Sequence, residues 1–226
     1  MDIRPIAYIR TEFPEKFGVP RQSCLAKGLR GRIVFEPQYR NPDALRGLEG
    51  FSHIWLIWEF SANRSTGKWQ PTVRPPRLGG NAHIGVFATR SPFRPNPLGL
   101  SCVAVEGIEL STDDGPVITV KGADLMDGTP VYDIKPYIPY ADAHPEAKEG
   151  FTAQNQGYRL EVEIPEVLQK QLPEEKREGL YGILAQDPRP SYQDDPERIY
   201  GFEYAGYEVK FRVCGDKLCV VEICGK

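Results

Sequence analysis

Arg90 and Arg94 stand four residues apart in the block Gly80–Ser101, GNAHIGVFATRSPFRPNPLGLS. Pro92, Pro95 and Pro97 fix the backbone around them and remove three amide donors, so this stretch cannot be regular structure. Two guanidinium groups held on a stiff excursion between strands can clamp a carboxylate or a phosphate with little ordering left to do on binding. The same pattern also suits a rigid connector whose arginines pair with nearby carboxylates. Asp127, Gly128 and Thr129 form a DGT turn, which offers a carboxylate and backbone groups to a ligand or simply closes the turn. His53 stands at the start of the apolar run HIWLIWEF and reads as a structural histidine or a base.

Other chemistry finds little support. The histidines are His53, His83 and His144, with no metal-type spacing. The five cysteines, Cys24, Cys102, Cys214, Cys219 and Cys224, are odd in number and contain no CxxC pair, so they read as buried free thiols rather than a disulfide framework or zinc site. Gly79, Gly80 and Gly85 do not form GxGxxG between a strand and a helix, and there is no GxSxG motif.

The elements that must position these groups are short and frequently punctuated by the 22 glycines and 21 prolines, which favours a β-rich fold. The pattern predicts strands at 3–9, 32–36, 53–60 (buried on both faces), 82–89, 99–110, 116–121 and 131–138. Asn41 caps a helical turn or two over 42–48. Residues 141–157 are acidic and polar and read as a linker. Beyond them come a strand at 158–164, helical segments at 165–172 and 173–186 with first-turn prolines, an exposed loop QDPRPSY, and a closing hairpin 206–213/218–224 about Gly215–Asp216. This organisation is a β-rich domain over 1–140 and a smaller α+β domain over 141–226. Met1–Tyr8 does not resemble a signal peptide and no apolar run has the length of a membrane span, so a cytoplasmic protein is expected.

The formal net charge of −3 argues against a nucleic-acid partner until its distribution is considered. Between Phe60 and Val105 there is no Asp or Glu, and Arg64, Lys68, Arg74, Arg77, Arg90 and Arg94 all fall in that window. A basic face on an otherwise acidic chain suits a partner whose phosphates meet one surface; a chance cluster of solvated arginines is the alternative.

The motif ATRSPFRPNPLGLS, with RGLEGFSHIWLIW, LMDGTPVYDIKPYIPYAD and LAQDPRPSY in the same order, resembles the TsaA/TrmO-like family over most of residues 6–192. The resemblance implies an S-adenosylmethionine-dependent methyltransferase on an N-terminal β-barrel, with a C-terminal α+β domain typical of the longer bacterial members. It implies a homodimer with the cofactor near the subunit interface; the absence of metal-type spacing and of a long apolar run adds an expectation of no metal and no membrane. The implied acceptor is the exocyclic nitrogen of threonylcarbamoyladenosine beside the anticodon of threonine tRNAs. Matched motif by motif, the cofactor pocket takes Gln22 of VPRQ, Ser52 and His53 of FSHIW, Arg90 of ATRSP, Leu100 of GLS, and Asp127, Gly128 and Thr129 of MDGTP. His53, Asp133 and water are alternative bases for the departing proton. Arg74, Arg77, Arg94, Lys135, Tyr137 and Arg189 are nominated for tRNA, with Tyr140 as a second stacking ring. A non-catalytic RNA-binding module, a small-molecule hydrolase and an interaction protein remain alternatives.

Overall fold

A computed structural model describes residues 2–63, 69–75, 82–155, 157–189, 193 and 195–226. Six strands close into an antiparallel barrel in the order β1-β2-β7-β6-β3-β8. They are β1 (Ala7–Thr11), β2 (Arg30–Phe35), β3 (His53–Glu59), β6 (Leu98–Glu109), β7 (Val117–Lys121) and β8 (Thr129–Pro136). Closure leaves no unpaired sheet edge, and alternate side chains fill the interior.

The run His53–Glu59 shows this alternation. Ile54, Leu56 and Trp58 are buried inside, while His53, Trp55 and Ile57 are only half-buried on the outside. The expected burial of this strand on both faces is therefore corrected. It is a barrel strand with one inner face, and its outward aromatics hid the alternation. Ala7, Ile9, Ile33, Val103, Ile118, Val120 and Val131 complete the interior.

The expected strand at 82–89 is also shorter than its sequence suggests. Only Ile84–Gly85 (β5) is extended, paired with Thr72–Val73 (β4), and Val86–Ala88 turn into a 3-10 helix. Asn41 caps a 3-10 turn over Pro42–Leu45 by accepting from the Asp43 amide at 3.0 Å. The acidic segment after the barrel holds a short α1 (Pro139–Asp142) and a 3-10 turn at Gly150–Asn155.

The smaller α+β region is a four-stranded sheet, β10-β11-β12-β9, under a helix. Its strands are β9 (Glu161–Glu163), β10 (Tyr200–Tyr204), β11 (Tyr207–Cys214) and β12 (Lys217–Gly225). Here α2 (Glu166–Gln169) and α3 (Glu174–Ala185) begin after Pro165 and Pro173, and acids occupy the first turns where the helix dipole favours them. Strand β10 was not expected from the sequence. It pairs with β11 through all five of its residues.

The second core is not confined to the C-terminal residues. Phe13, Ala26 and Leu29, from the segment joining β1 to β2, pack with Leu180, Leu184, Phe202, Tyr204 and Phe211. Gly28 permits this approach, because a Cβ there would lie 2.7 Å from the Gly179 amide nitrogen of α3. The five cysteines are free, as expected, but none is buried. Cys214 and Cys224 are exposed because the terminal hairpin turns alternate residues to solvent, and Cys24, Cys102 and Cys219 are half-buried.

Candidate functional site

Three connections leave the barrel at one end. They are the strap 12–29 between β1 and β2, the long loop 60–97 between β3 and β6, and the turn 122–128 between β7 and β8. The pairings Thr11↔Gly31, Arg30↔Lys121, Glu59↔Leu98 and Ile9↔Thr129 put their roots together. The strap is stitched to the turn: the Cys24 amide donates to Gly122 O at 2.8 Å, and the Ser23 amide donates to the Asp124 carboxylate. From the long loop, the Arg90 guanidinium donates to Gln22 Oε1. Gln22 and Arg90, 68 residues apart in sequence, therefore meet beside Asp124.

Asp124 anchors a relay that runs into the barrel. Ser101 Oγ donates to Asp124 Oδ1 at 2.6 Å, and Trp58 Nε1 donates to Ser101 Oγ at 2.9 Å. Ser101 is 1% exposed. Gly99 makes the geometry possible: a Cβ there would sit 2.3 Å from the Trp58 ring, so only glycine lets the indole lie across this strand. Burial pushes the Asp124 carboxyl above its ordinary value, opposed by the Ser101 hydroxyl, the backbone amides of Asp124 and Ser23, and the Arg90 charge. The site thus pairs a solvent-reaching cation with a partly desolvated carboxylate.

The DGT turn lies at the same end and is tied to β1. Thr11 N donates to Asp127 Oδ1 at 3.0 Å, Arg10 pairs with Asp127 Oδ2 at 3.5 Å, and Gly128 N donates to Ile9 O at 2.9 Å. Gly128 has φ +72°, a left-handed conformation that glycine adopts without strain. Thr129 is buried and its hydroxyl donates to Met126 O at 2.8 Å. Leu100 faces outward from β6 and is 54% exposed.

Ser52 and His53 begin β3, where His53 pairs with Ala104 of β6, which in turn pairs with Lys121 of β7. They bond to each other at 2.9 Å, and the His53 ring meets Tyr137 with centroids 6.2 Å apart. Among the described residues, neither hydrogen-bonds to Gln22 or Arg90. Asp133 pairs with Lys135 at 2.9 Å and also accepts from the Ile134 amide. Tyr137 leans on Trp55 as well as His53, whereas Tyr140 is 92% exposed on α1.

Arg94 donates to Thr89 O at 3.2 Å and braces the proline loop, and Arg74 Nε donates to His83 Nε2 at 3.1 Å. Arg77 lies outside the described residues. Arg189 is 8% exposed and grips Asp187 through Nε at 2.9 Å and a second nitrogen at 3.0 Å. Its carbonyl accepts from Arg21 at 3.0 Å, so the QDPR turn of the second region braces the strap next to Gln22.

Sequence reasoning missed Asp124, Ser101 and Trp58. Asp124 sits in GADL, an ordinary turn sequence, and Ser101 ends a motif whose arginines draw attention. Their proximity is legible only once β6 is placed next to the turn 122–128.

These groups match the chemistry of an amino-acid-bearing sulfonium cofactor. Arg90 and Gln22 suit its carboxylate, the Asp124 carboxylate suits its ammonium or sulfonium charge, and exposed Leu100 offers an apolar surface to a base ring. No helix among the described residues is long and apolar enough to cross a membrane.

Comparison with known proteins covers both regions of the chain. A family model described as the tRNA-methyltransferase O N-terminal domain matches residues 8–143, and one described as the TrmO C-terminal domain matches 157–226. The chain is 42% identical over 216 residues to an Escherichia coli K12 protein named tRNA (adenine(37)-N6)-methyltransferase, covering 92% of this chain and 91% of that protein. It is 44% identical over 207 residues to a Pseudomonas aeruginosa protein provisionally named an S-adenosylmethionine-dependent methyltransferase, covering 88% and 87% of the two chains. A crystal structure of TrmO from Pseudomonas aeruginosa superposes with a TM-score of 0.78 at 35% identity, covering 100% of this chain and 99% of that one.

Proposed function

We propose a function from one premise: this chain belongs to the tRNA-methyltransferase O family. It is an S-adenosylmethionine-dependent tRNA methyltransferase that acts on the exocyclic nitrogen of adenine 37. The observation that carries this reading is the match of both family models across the barrel and the smaller region together. The threonylcarbamoyl form of that adenine, in threonine tRNAs, is our assignment of the acceptor. A homodimer in the cytoplasm completes the proposal.

When bound, S-adenosylmethionine supplies a methyl group made electrophilic by its sulfonium. The chain's own work is positioning and desolvation. Arg90, oriented by Gln22, holds the cofactor carboxylate. Asp124 presents a carboxylate whose field favours a neighbouring cation. Asp127, Gly128 and Thr129 border the pocket through a turn kept rigid by Thr11 and Arg10, and Leu100 supplies an apolar wall. For the departing proton we assign Asp124 in preference to His53 or Asp133. Burial raises its carboxyl toward proton affinity, whereas Asp133 is held by Lys135 and His53 by Ser52 and Tyr137.

Arg74, Arg94 and Lys135 contact tRNA phosphates in this proposal, and Tyr137 and Tyr140 border the RNA. Arg189 acts from behind, through Arg21 and the strap. Calorimetry tests the pocket. Arg90→Ala should weaken S-adenosylmethionine binding by about tenfold to a hundredfold, the size of a lost charge-assisted hydrogen bond. Unchanged binding would remove Arg90 from the pocket.

A further inference from the structure

We infer that Trp69 and Phe87 form a stacking platform for the unpaired bases of an RNA loop. Trp69 is 52% exposed and Phe87 72% exposed, and their ring centroids lie 6.1 Å apart at an interplanar angle of 33°. Neither belongs to a hydrophobic core. Two large aromatics held together at the surface without burial need a reason, because burying either would stabilise the fold.

The local structure holds them in place. Strands β4 and β5 form a two-stranded ribbon, and the Val86 amide closes it on Pro71 O at 2.9 Å. Just beyond that closure stand Trp69 on one arm and Phe87 on the other. At the opposite end of the ribbon, Arg74 bonds His83. Phe93, also exposed at 62%, stands on the proline loop between Arg90 and Arg94.

Charge identifies the occupant. No carboxylate occurs in the sequence from 60 to 105, so nothing in this segment repels phosphate. Exposed rings interleaved with arginines are the arrangement that binds single-stranded nucleic acid: bases stack on the rings and phosphates meet the cations. An anticodon loop offers unstacked bases beside a backbone, which a duplex does not. This inference rests on the tRNA-methyltransferase reading and adds to it a place for bases other than the one methylated.

The test is filter binding of an anticodon stem-loop RNA bearing threonylcarbamoyladenosine, repeated over a salt series, with Trp69→Ala, Phe87→Ala and the conservative Trp69→Phe. Each alanine variant should bind about fivefold to a hundredfold more weakly, as lost base stacking does, with the salt slope unchanged. Trp69→Phe should retain most of the affinity. Arg74→Ala should instead reduce the slope. Wild-type affinity in both alanine variants would overturn the platform. So would a change in sedimentation showing that the rings join two copies of the chain. If the wild-type protein binds this RNA through the rings but transfers no methyl group to it, the enzymatic reading fails and the platform stands.

Discussion

Ser101 bears two buried bonds at once, accepting from Trp58 and donating to Asp124. Ser101→Ala leaves the indole N–H without its acceptor and the carboxylate without its hydroxyl donor. It should cost about 1–3 kcal/mol, read as a fall in Tm of roughly 2–10 °C. It also removes an interaction that favours the charged carboxylate, so the Asp124 carboxyl should rise further. Its folded value already lies above its unfolded one, so protonated Asp124 favours the fold at low pH and that contribution is lost as pH rises through the folded value. With Asp124 as proton acceptor, the acid limb of the methyl-transfer rate should move to higher pH in Ser101→Ala. An unmoved limb would remove Asp124 from that role. At this scale the sequence was partly legible. Arg90 and Gln22 stand in distinctive motifs, but Asp124 looks like a turn residue and Trp58 like one more apolar strand position. Their meeting depends on strand order, which spacing does not encode.

Among the elements, β6 shows how a local irregularity positions charge. Its pairing with β7 shifts between Val105 and Gly107, and Glu106 at that bulge receives both Lys121 (2.8 Å) from the adjacent β7 and Arg30 (2.7 Å) from β2 beyond it. The Arg30 hydrogen bond holds the Glu106 carboxyl below its ordinary value. Stability from such a group is present above the ordinary carboxylate range and lost as pH falls through the lowered value. Glu106→Gln should therefore be destabilised by about 1 kcal/mol at neutral pH. Thermal melts at pH 7 and in acid check this, and the difference should vanish in acid. The long strands and the terminal hairpin were legible because their alternation is clean. The span 82–89 was not: its alternation continues through a 3-10 turn that places Phe87 at the surface. Strand β10 was hidden by the charged, proline-bearing segment before it.

At the scale of the molecule, the strap 12–29 ties the barrel to the second core. Its ends extend barrel strands, Phe13, Ala26 and Leu29 enter the second core, and Gln22 stands between them at the site. A composition change near residue 141 suggested where one region yields to the next, but it gave no sign that an early segment would pack with the last strands. A chain truncated after residue 156 should expose Phe13 and Leu29, aggregate, and lose S-adenosylmethionine binding even though every barrel strand is present; light scattering and calorimetry would show it. Gly28→Val should weaken donor binding in the full chain by forcing the strap off α3. The central claim is methyl transfer to a modified adenine, and it is tested most directly by incubating the full chain with methyl-labelled S-adenosylmethionine and total tRNA, with and without the threonylcarbamoyl group. The account predicts label in the modified tRNA, on the exocyclic nitrogen of adenine 37, and none in the unmodified tRNA. Equal labelling of both, or label elsewhere in the RNA, would contradict it.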